Sequence, residues 1–276
     1  MQQRHHDRLT YFKEQVNTSR EFYLNYLESF SPIREGYRVL EVGCGEAGNL
    51  LPFAQKGCLV TGIDLCETRI RQAKDFFRLE GTTGQFLHTD FLDFHSEDSI
   101  RYQIILIHDV IEHIPQEKKL AFIRHAHELL APEGLVFWGF PAWQMPFGGH
   151  QQICKSRWVS HFPFIHLFPR FVYRFMLRKL GAGGACTELL DIQASRLSIE
   201  RFESLLRTAD LKIINRTLWF INPHYKQKFH LTPRRLPNWI SSLPYIRNFF
   251  STSCFYLTCK ISYDAKFHFL NCGSPI

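Results

Sequence analysis

The sequence predicts an α/β protein with a doubly wound, Rossmann-like sheet that is mostly parallel. Three observations predict it: strands alternate with amphipathic helices between residues 37 and 140, the first strand runs into a glycine-rich loop, and the second ends in an acidic residue. Alternation of this kind places a parallel sheet between two layers of helices. Ligands bind such sheets at the carboxyl ends of the strands, so we expect the site at that edge.

The first half of the chain supplies the regular elements. A helix is predicted over residues 8–30 and ends at the segment SPIREG. Strands are predicted at residues 37–43, 58–64, 85–90, 102–109 and 135–140. Helices between them are predicted at residues 46–56, 67–81 and 116–134, the last of which ends at a proline and a glycine.

The second half is less regular. A helix is predicted over residues 198–210 with Ser198 as its N-cap, followed by a strand at 211–222 and a last strand at 254–262. The remaining stretches are rich in proline, aromatic and basic residues and show no comparable pattern. Irregular stretches of this length are often lids or binding loops.

The predicted organisation is a single domain over residues 1–276. With 276 residues and 45% hydrophobic content, the chain can build one sizeable core. We divide it into an N-terminal helical segment (residues 1–36), a cofactor-binding core (37–140) and a cap made of two insertions (141–197 and 223–252).

The formal net charge is +7, but the two halves of the chain differ in sign. Residues 1–150 hold 15 basic and 20 acidic side chains, whereas residues 151–276 hold 18 and 6. A basic half favours an anionic partner such as a phosphate, a carboxylate or an acidic membrane surface. A solvated basic face is the alternative.

The composition also bears on localisation. No apolar run reaches the ~18 residues of a transmembrane helix, and the N-terminus lacks the apolar region of a secretory signal. Eight scattered cysteines without C-x-x-C pairs are typical of reduced thiols. We therefore expect a cytoplasmic protein, with peripheral contact at the inner membrane face left open.

A basic stripe in the first insertion keeps that membrane contact open. Arg170, Arg174 and Arg178 repeat every four residues beside Phe171 and Phe175. A basic amphipathic helix with aromatic residues can lie in a membrane interface, or it can cap an acceptor site and hold a phosphate or carboxylate. The alternative is a cap helix whose aromatic side chains pack on the sheet and whose arginines are solvated.

The glycine loop indicates a nucleoside-containing cofactor. Gly43, Gly45 and Gly48 follow the spacing G-x-G-x-x-G, which is usually read as a dinucleotide site. Glu41 and Glu46, however, would bring carboxylates close to a pyrophosphate bound at the helix N-terminus. S-adenosylmethionine carries a sulfonium and an ammonium group and no phosphate, so it tolerates both acids.

The order of the motifs supports the same cofactor. The segments VLEVGCGEAGNL, VTGIDL, HTDFLDF, YQIILIHDVIEHIP and GLVFWGFP resemble the successive motifs of class I S-adenosylmethionine-dependent methyltransferases. They are most similar to the small-molecule branch that includes quinone-biosynthesis enzymes, and the resemblance covers about residues 37–141. It implies a seven-stranded sheet, mostly parallel with one antiparallel strand.

The resemblance also implies roles for individual residues. Gly43, Cys44 and Gly45 would line the methionine portion of the cofactor, and Glu41 would lie under the loop. Asp64 would hold the ribose, a role that it could equally take with NAD. Around the adenine we expect Leu65, Asp90 and Phe91. At the end of the fourth strand we expect His108, Asp109 and Val110 to close the cofactor pocket.

The acceptor side is expected where the chain leaves the fifth strand. A hydroxyl acceptor benefits from a base, and histidine suits that role near neutral pH. His150 follows two glycines and the aromatic residues Trp143 and Phe147, so we expect it to be the catalytic base or hydrogen-bond donor, with Gln151 and Gln152 as its partners. A loop histidine that only packs on the cap is the alternative.

Other site chemistries are less consistent with the sequence. His108, Glu112 and His113 miss the metal motif H-x-x-E-H by one residue, so we expect no metal site. The segment HDVI stands where enzymes that methylate nucleic-acid amines resemble one another in [DN]-P-P-[YF], so nucleic acid is not the expected partner. An NAD-dependent oxidoreductase and a non-catalytic cofactor-binding protein stay open. The favoured prediction is a methyltransferase acting on an anionic, small or lipid- or glycan-linked acceptor, at oxygen.

Overall fold

The computed structural model describes residues 7–96, 100–154, 156–179 and 186–260. The strands of these residues are β1 to β8, at Arg38–Val42, Leu59–Asp64, Gln85–His88, Tyr102–His108, Leu130–Phe140, Leu211–Ile221, Arg234–Arg235 and Ser253–Lys260. They form one sheet in the order β3-β2-β1-β4-β5-β8-β6-β7. The order reverses beside β1, which places a topological switch point between β1 and β4.

The sheet confirms the predicted fold class. Strands β1 to β5 pair in parallel, and β8 runs antiparallel between β5 and β6. The seven expected strands are therefore present, with the expected reversal at β8. The difference is an eighth strand, β7, whose two residues pair antiparallel with β6 at the edge.

The helices cover both faces of the sheet. In chain order, α1 to α11 span Arg8–Thr18, Asn25–Glu28, Leu51–Gln55, Glu67–Leu79, Lys119–Leu129, Arg157–His161, Arg170–Lys179, Cys186–Ser195, Ile199–Thr208, His224–Phe229 and Asn238–Ser241. The helix that begins with α1 continues through a π-helical stretch, Ser19–Leu24, into α2. Ser198 is the N-cap of α9, as predicted, and its hydroxyl accepts a hydrogen bond from the Arg201 N–H at 3.2 Å.

Two hydrophobic clusters lie on opposite faces of the sheet. On one face Phe122 of α5 and Phe202 of α9 pack near Trp138, whose indole N–H donates to the Thr258 hydroxyl at 2.9 Å and so joins β5 to β8. On the other face Phe12 of α1 and Phe77 of α4 are fully buried. Each such side chain stabilises the fold by about 1.5–3 kcal/mol relative to an exposed one.

The end of α5 differs from the prediction. The helix ends at Leu129 rather than near residue 134, and β5 begins at once at Leu130. The register between β4 and β5 shifts between Leu130 and Leu135, so the intervening residues form an irregularity in the strand. Gly134 fits there because a Cβ atom would lie 2.9 Å from the Tyr102 carbonyl oxygen.

The first insertion is more regular than the sequence suggests. Helices α6, α7 and α8 surround a third hydrophobic cluster that includes Tyr173, Leu177 and Leu189. The repeat of Arg170, Arg174 and Arg178 falls on α7, whereas α6 and α8, with 5 and 10 residues, have no such pattern in the sequence. Short helices give few periods from which to recognise a buried stripe.

Candidate functional site

The three glycines of the loop after β1 each meet a different constraint. Gly43 has a φ of +69°, and a Cβ there would lie 2.4 Å from Cγ2 of Val110. Gly45 has a φ of +55°, which a side chain disfavours. Gly48 lies under α1, where a Cβ would come within 2.6 Å of the Phe12 carbonyl oxygen. The loop is thus shaped by its neighbours on both sides.

Asp64 joins this loop to the end of β2. Its Oδ2 accepts a hydrogen bond from the Gly45 N–H at 2.9 Å, and its Oδ1 accepts one from the Cys66 N–H at 2.8 Å. A carboxylate has about four acceptor positions, so both oxygens retain capacity for further donors. Asp64 can therefore position the loop and still receive hydroxyl groups of a ribose.

Glu41 is buried beneath the loop. Its Oε1 accepts a hydrogen bond from Asn49 Nδ2 at 2.7 Å, whereas its Oε2 has no partner among the described residues. Burial raises the pKa of Glu41 to about 8; the Asn49 hydrogen bond opposes this and the charge of Asp64 adds to it. A cationic group bound in the loop would favour the ionised form of this carboxyl.

The first helix covers the loop from above. Arg8 pairs with Glu46, and the Ser19 hydroxyl donates to the Asn49 carbonyl oxygen at 2.7 Å. Glu46 is 1% exposed. The charge of Glu46 is therefore balanced by Arg8. Of the two carboxylates that disfavour a pyrophosphate, only Glu41 has no basic partner among the described residues.

The remaining residues expected around the cofactor lie along the same edge. The Cys44 side chain packs into the protein beside Gly62, so only its backbone can face a ligand. Leu65 is 70% exposed just after β2. The Asp90 carboxylate is exposed and accepts from the Leu92 N–H at 2.9 Å, while the Phe91 ring is buried under α5. Leu65 and Asp90 therefore border an open rim.

The end of β4 brings His108 and Asp109 together. The Tyr23 hydroxyl lies 3.0 Å from Nε2 of His108, and Nδ1 of His108 lies 3.3 Å from Asp109 Oδ2. The His108 ring fits because residue 139 is glycine, where a Cβ would lie 2.1 Å from its Cδ2. Burial raises the pKa of Asp109, but the neighbouring His108, with His150 and His224, outweighs it and lowers that pKa to about 2.

A cavity of about 360 Å³ begins at Asp109 and extends under the two insertions. We call it the acceptor cavity. Its walls come from α1, from the chain after β5, and from α10 and the residues before β8. The lining residues are Tyr11, Asp109, Pro141, Met145, Phe147, His150, Gln152, Ile153, Asn222, His224, Tyr225, Lys228 and Thr252.

The structure places His150 in this cavity but separates it from some of its expected partners. Phe147 and Gln152 line the cavity together with His150. Gln151 does not line it: its side chain is buried, and its Nε2 donates to the carbonyl oxygens of Pro146 and Phe162 at 3.2 Å. Trp143 also lies outside the lining and packs edge-on against His166. Neither position is visible from sequence order, because each depends on how the insertion folds back.

The imidazole of His150 is uncharged near neutral pH. Burial lowers its pKa to about 4, the neighbouring His113 contributes to this shift, and Asp109 opposes it. The residue has a φ of +55°, at the start of a short 3₁₀ turn. A neutral imidazole offers a lone pair to a proton or to a metal ion.

Glu112 and His113 lie close to His150, a grouping that the sequence analysis missed. Ligand atoms of the three side chains all lie within 4.8 Å of one another. Glu112 is 5% exposed, and neither of its carboxylate oxygens has a hydrogen-bond partner among the described residues. Burial, with the charge of Asp109, raises the pKa of Glu112 well above its ordinary value. Motif spacing could not reveal the group because His150 comes from the first insertion.

Comparisons with known proteins agree with this geometry. Residues 39–134, from β1 to the start of β5, match a family described as a methyltransferase domain. The chain contains a class I S-adenosylmethionine-dependent methyltransferase domain. The predicted family, fold class and cofactor are thereby confirmed, and the comparisons favour S-adenosylmethionine over the NAD alternative.

The relatives found by sequence are ubiquinone biosynthesis O-methyltransferases. The one from Coxiella burnetii is 31% identical over 116 residues, which are 41% of this chain and 47% of the relative. The one from Vibrio campbellii is 29% identical over 123 residues, or 45% and 50% of the two chains. The chain thus matches about half the length of these curated relatives.

Solved structures extend the likeness of the fold. Magnesium protoporphyrin IX methyltransferase from Synechocystis PCC 6803, solved with bound S-adenosylhomocysteine, superposes with a TM-score of 0.55 at 16% identity, over 90% of this chain and 84% of that one. An S-adenosylmethionine-dependent methyltransferase from Clostridium acetobutylicum gives 0.57 at 9% identity, over 90% and 92%. At these identities the likeness concerns the fold.

Proposed function

We propose that this protein transfers the methyl group of S-adenosylmethionine to a hydroxyl oxygen of a small or lipid- or glycan-linked acceptor. The observation that carries the proposal is the acceptor cavity, which joins the end of β4 at Asp109 to the neutral imidazole of His150. A methyltransferase must align an acceptor with the sulfonium and exclude water, and a cavity that begins at Asp109, directly after β4, suits both tasks.

The cofactor is held by the residues around the glycine loop. The backbone of Gly43, Cys44 and Gly45 lines its methionine portion, and Asp64 accepts hydrogen bonds from the ribose hydroxyls. The adenine lies along the rim bordered by Leu65, Asp90 and Phe91. His108, Asp109 and Val110 close the pocket, and Glu41 supports the loop with a charge that develops when the cationic cofactor binds.

The acceptor hydroxyl is activated at His150. In the reaction the methyl carbon–sulfur bond breaks, an oxygen–carbon bond forms, and the hydroxyl proton leaves at the His150 side. Because burial keeps the imidazole uncharged, its lone pair is available near neutral pH. His150→Ala is expected to lower kcat by roughly 10²–10⁴-fold with little change in S-adenosylhomocysteine affinity.

An anionic group on the acceptor is matched by Lys228. Lys228 lines the acceptor cavity beside His224, and residues 151–276 carry 18 basic and 6 acidic side chains. A carboxylate or phosphate at that position would gain a charge-assisted hydrogen bond. Lys228→Met is expected to raise KM for an anionic acceptor and leave that for its uncharged analogue unchanged.

The binding experiment is a calorimetric titration with S-adenosylhomocysteine and, separately, with NAD. We expect micromolar binding of S-adenosylhomocysteine to the wild type, no NAD signal, and at least a tenfold loss of affinity in Asp64→Ala. Asp75→Ala, a change of an exposed acid on α4, serves as the matched control and should bind normally. Binding of NAD alone would reject the proposal. Cofactor binding without transfer to any screened acceptor would favour the non-catalytic alternative.

Contact with an anionic membrane is a second part of the proposal. On α7, Phe171 and Phe175 are 76% and 62% exposed, on a helix that also carries Arg174 and Arg178. The second insertion also exposes aromatic residues, Trp239 among them, and the Phe164 and Phe249 rings of the two insertions approach to 6.5 Å between centroids. None of the helices in the described residues is both long and apolar enough to cross a bilayer.

Vesicle sedimentation tests this contact. We expect binding to phosphatidylglycerol vesicles at low salt, weaker binding at high salt, and a further loss in the double variant Arg174→Glu, Arg178→Glu. Arg71→Glu on α4 changes the same charge at another exposed position and is the control. Absence of binding at low salt would exclude the interfacial role and leave the methyl-transfer proposal untouched.

A further inference from the structure

A second cavity, of about 680 Å³, lies near the carboxyl end of β6. We call it the edge cavity, because β6 and the short strand β7 at the edge of the sheet contribute one of its walls. The π-helical stretch Ser19–Leu24 contributes another, and α10 with the loop after it contributes the third. Among the described residues, none lines both the edge cavity and the acceptor cavity, so the two are distinct.

Helix α10 separates the two cavities. Tyr225 and Lys228 line the acceptor cavity, whereas Lys226 and Gln227 line the edge cavity. In an α-helix, residues three apart share a face and the two residues between them point elsewhere. Substitutions in the edge cavity can therefore be studied without touching the acceptor cavity.

The charges of the edge cavity leave one guanidinium group unbalanced. Glu21 and Lys226 form an ion pair, so their charges offset each other. The side chain of Arg235, on β7, has neither a carboxylate nor a hydrogen-bond acceptor within the part of the chain that the structure describes. Its Cζ lies over the Trp219 ring, 5.9 Å from the ring centroid. With the neighbouring His230 uncharged, the edge cavity presents a single unpaired positive charge.

The wall beside Arg235 also contains a buried donor. Trp219 is 9% exposed and packs against Phe22 and Phe255, whose ring centroids lie 6.2 and 5.6 Å from its own. Its indole N–H has no hydrogen-bond acceptor among the described residues. A buried donor that stays unsatisfied costs about 1–3 kcal/mol. An oxygen atom that a ligand brings into the edge cavity would be an acceptor for it.

We propose that the edge cavity binds a small organic carboxylate with an apolar body, at a site separate from that of methyl transfer. The guanidinium of Arg235 binds the carboxylate through two parallel N–H···O bonds, and the Trp219 indole N–H is a further donor. The apolar body packs against Phe22 and Leu231. A carboxylate balances the single unpaired charge, whereas the second charge of a phosphate would face Glu21.

The test is a calorimetric titration of the full chain with 3-phenylpropionate. We expect saturable binding to the wild type, weakened at least tenfold in Arg235→Gln. Arg234→Gln is the matched control, because it removes the same charge from the neighbouring residue of β7, which does not line the cavity. The uncharged 3-phenylpropionamide has the same body and should not bind. Absence of saturable binding to the wild type, or an equal loss in both arginine variants, would overturn the proposal.

Two further variants establish where the ligand lies. Lys228→Met acts in the acceptor cavity, so the binding that depends on Arg235 should persist in it. A change of tryptophan fluorescence should accompany binding to the wild type and be absent in Trp219→Phe. Binding that is lost in Lys228→Met and kept in Arg235→Gln, or a fluorescence change that persists in Trp219→Phe, would refute the edge cavity as the site.

A third comparison tests the class of ligand and keeps the two sites apart. Tighter binding of phenyl phosphate than of 3-phenylpropionate would contradict the argument from a single unpaired charge. Arg235→Gln should bind S-adenosylhomocysteine as the wild type does, because Arg235 is not among the residues around the glycine loop. A parallel loss of cofactor and carboxylate binding in Arg235→Gln would show that the two sites are not separate and would overturn the proposal.

Discussion

Replacing Glu41 with glutamine should stabilise the protein in a pH-dependent way. The ordinary pKa of this carboxyl is 4.5, and burial raises it to about 8 in the folded chain. Between these values the unfolded chain releases the proton while the folded chain keeps it, so the free energy of unfolding falls as pH rises, by about 1.4 kcal/mol per pH unit. The loss stops once pH exceeds the folded pKa.

Glu41→Gln keeps the shape and an acceptor for Asn49 but cannot ionise. The free energy of unfolding of Glu41→Gln minus that of the wild type should therefore grow by about 3 kcal/mol from about pH 5 to about pH 7.5. Urea unfolding of both proteins at several pH values gives this difference. The change of the difference with pH is independent of any constant effect that the new amide has on stability. Glu80→Gln at the exposed end of α4 is the matched control.

The same variant should bind the cofactor less well. The cationic S-adenosylmethionine favours the ionised carboxylate, so wild-type affinity should rise with pH up to about 8 while that of Glu41→Gln stays flat. Parallel stability curves for the two proteins would refute the reasoning, because they would mean that Glu41 is already ionised in the folded chain without cofactor.

Three other substitutions give direct readings of local structure. Gly43→Ala should lower S-adenosylhomocysteine affinity at least tenfold in calorimetry, because its Cβ would lie 2.4 Å from a Val110 methyl. Gly81→Ala is the control: Gly81 has a similar φ of +63° with open space around it, so the affinity should stay unchanged. Ser198→Ala should lower the urea-unfolding free energy by about 1 kcal/mol, through loss of the α9 N-cap. Lys119→Met should lower the urea-unfolding free energy by about 2–3 kcal/mol, because the carbonyl oxygens of Ile111 and Ile114 lose their donor. A change smaller than the error of urea unfolding would show that these hydrogen bonds are dispensable.

The sheet could be predicted because its signals are local. Each of β1, β2 and β4 is a short buried apolar run, and the glycines and Asp64 stand directly at strand ends. Parallel strands bring such ends together at one edge without further information. The placement of the glycines and Asp64 at one edge therefore needed only the order of the elements, whereas the roles of individual residues there came from the resemblance.

The acceptor side could not be predicted in the same way. His150 meets Glu112 and His113 across 37 residues of chain, and Gln151 points into the insertion because of bonds to Pro146 and Phe162. No periodicity records such contacts. Helices α6 and α8 of the first insertion were missed for a related reason, since the core that they share with α7 depends on three short elements folding together.

The central position of β8 has a consequence for how the chain reaches its native state. Residues 254–258 pair with 136–140 on one side and with β6 on the other, so β6 and β7 join the sheet only through a strand made after both. During synthesis the apolar edge of β5 stays unpaired until more than a hundred further residues have been added. Contacts of such sequence separation form slowly, and open edges invite association with other chains. Any truncation that removes β8 should therefore yield an aggregating half-sheet rather than a smaller enzyme.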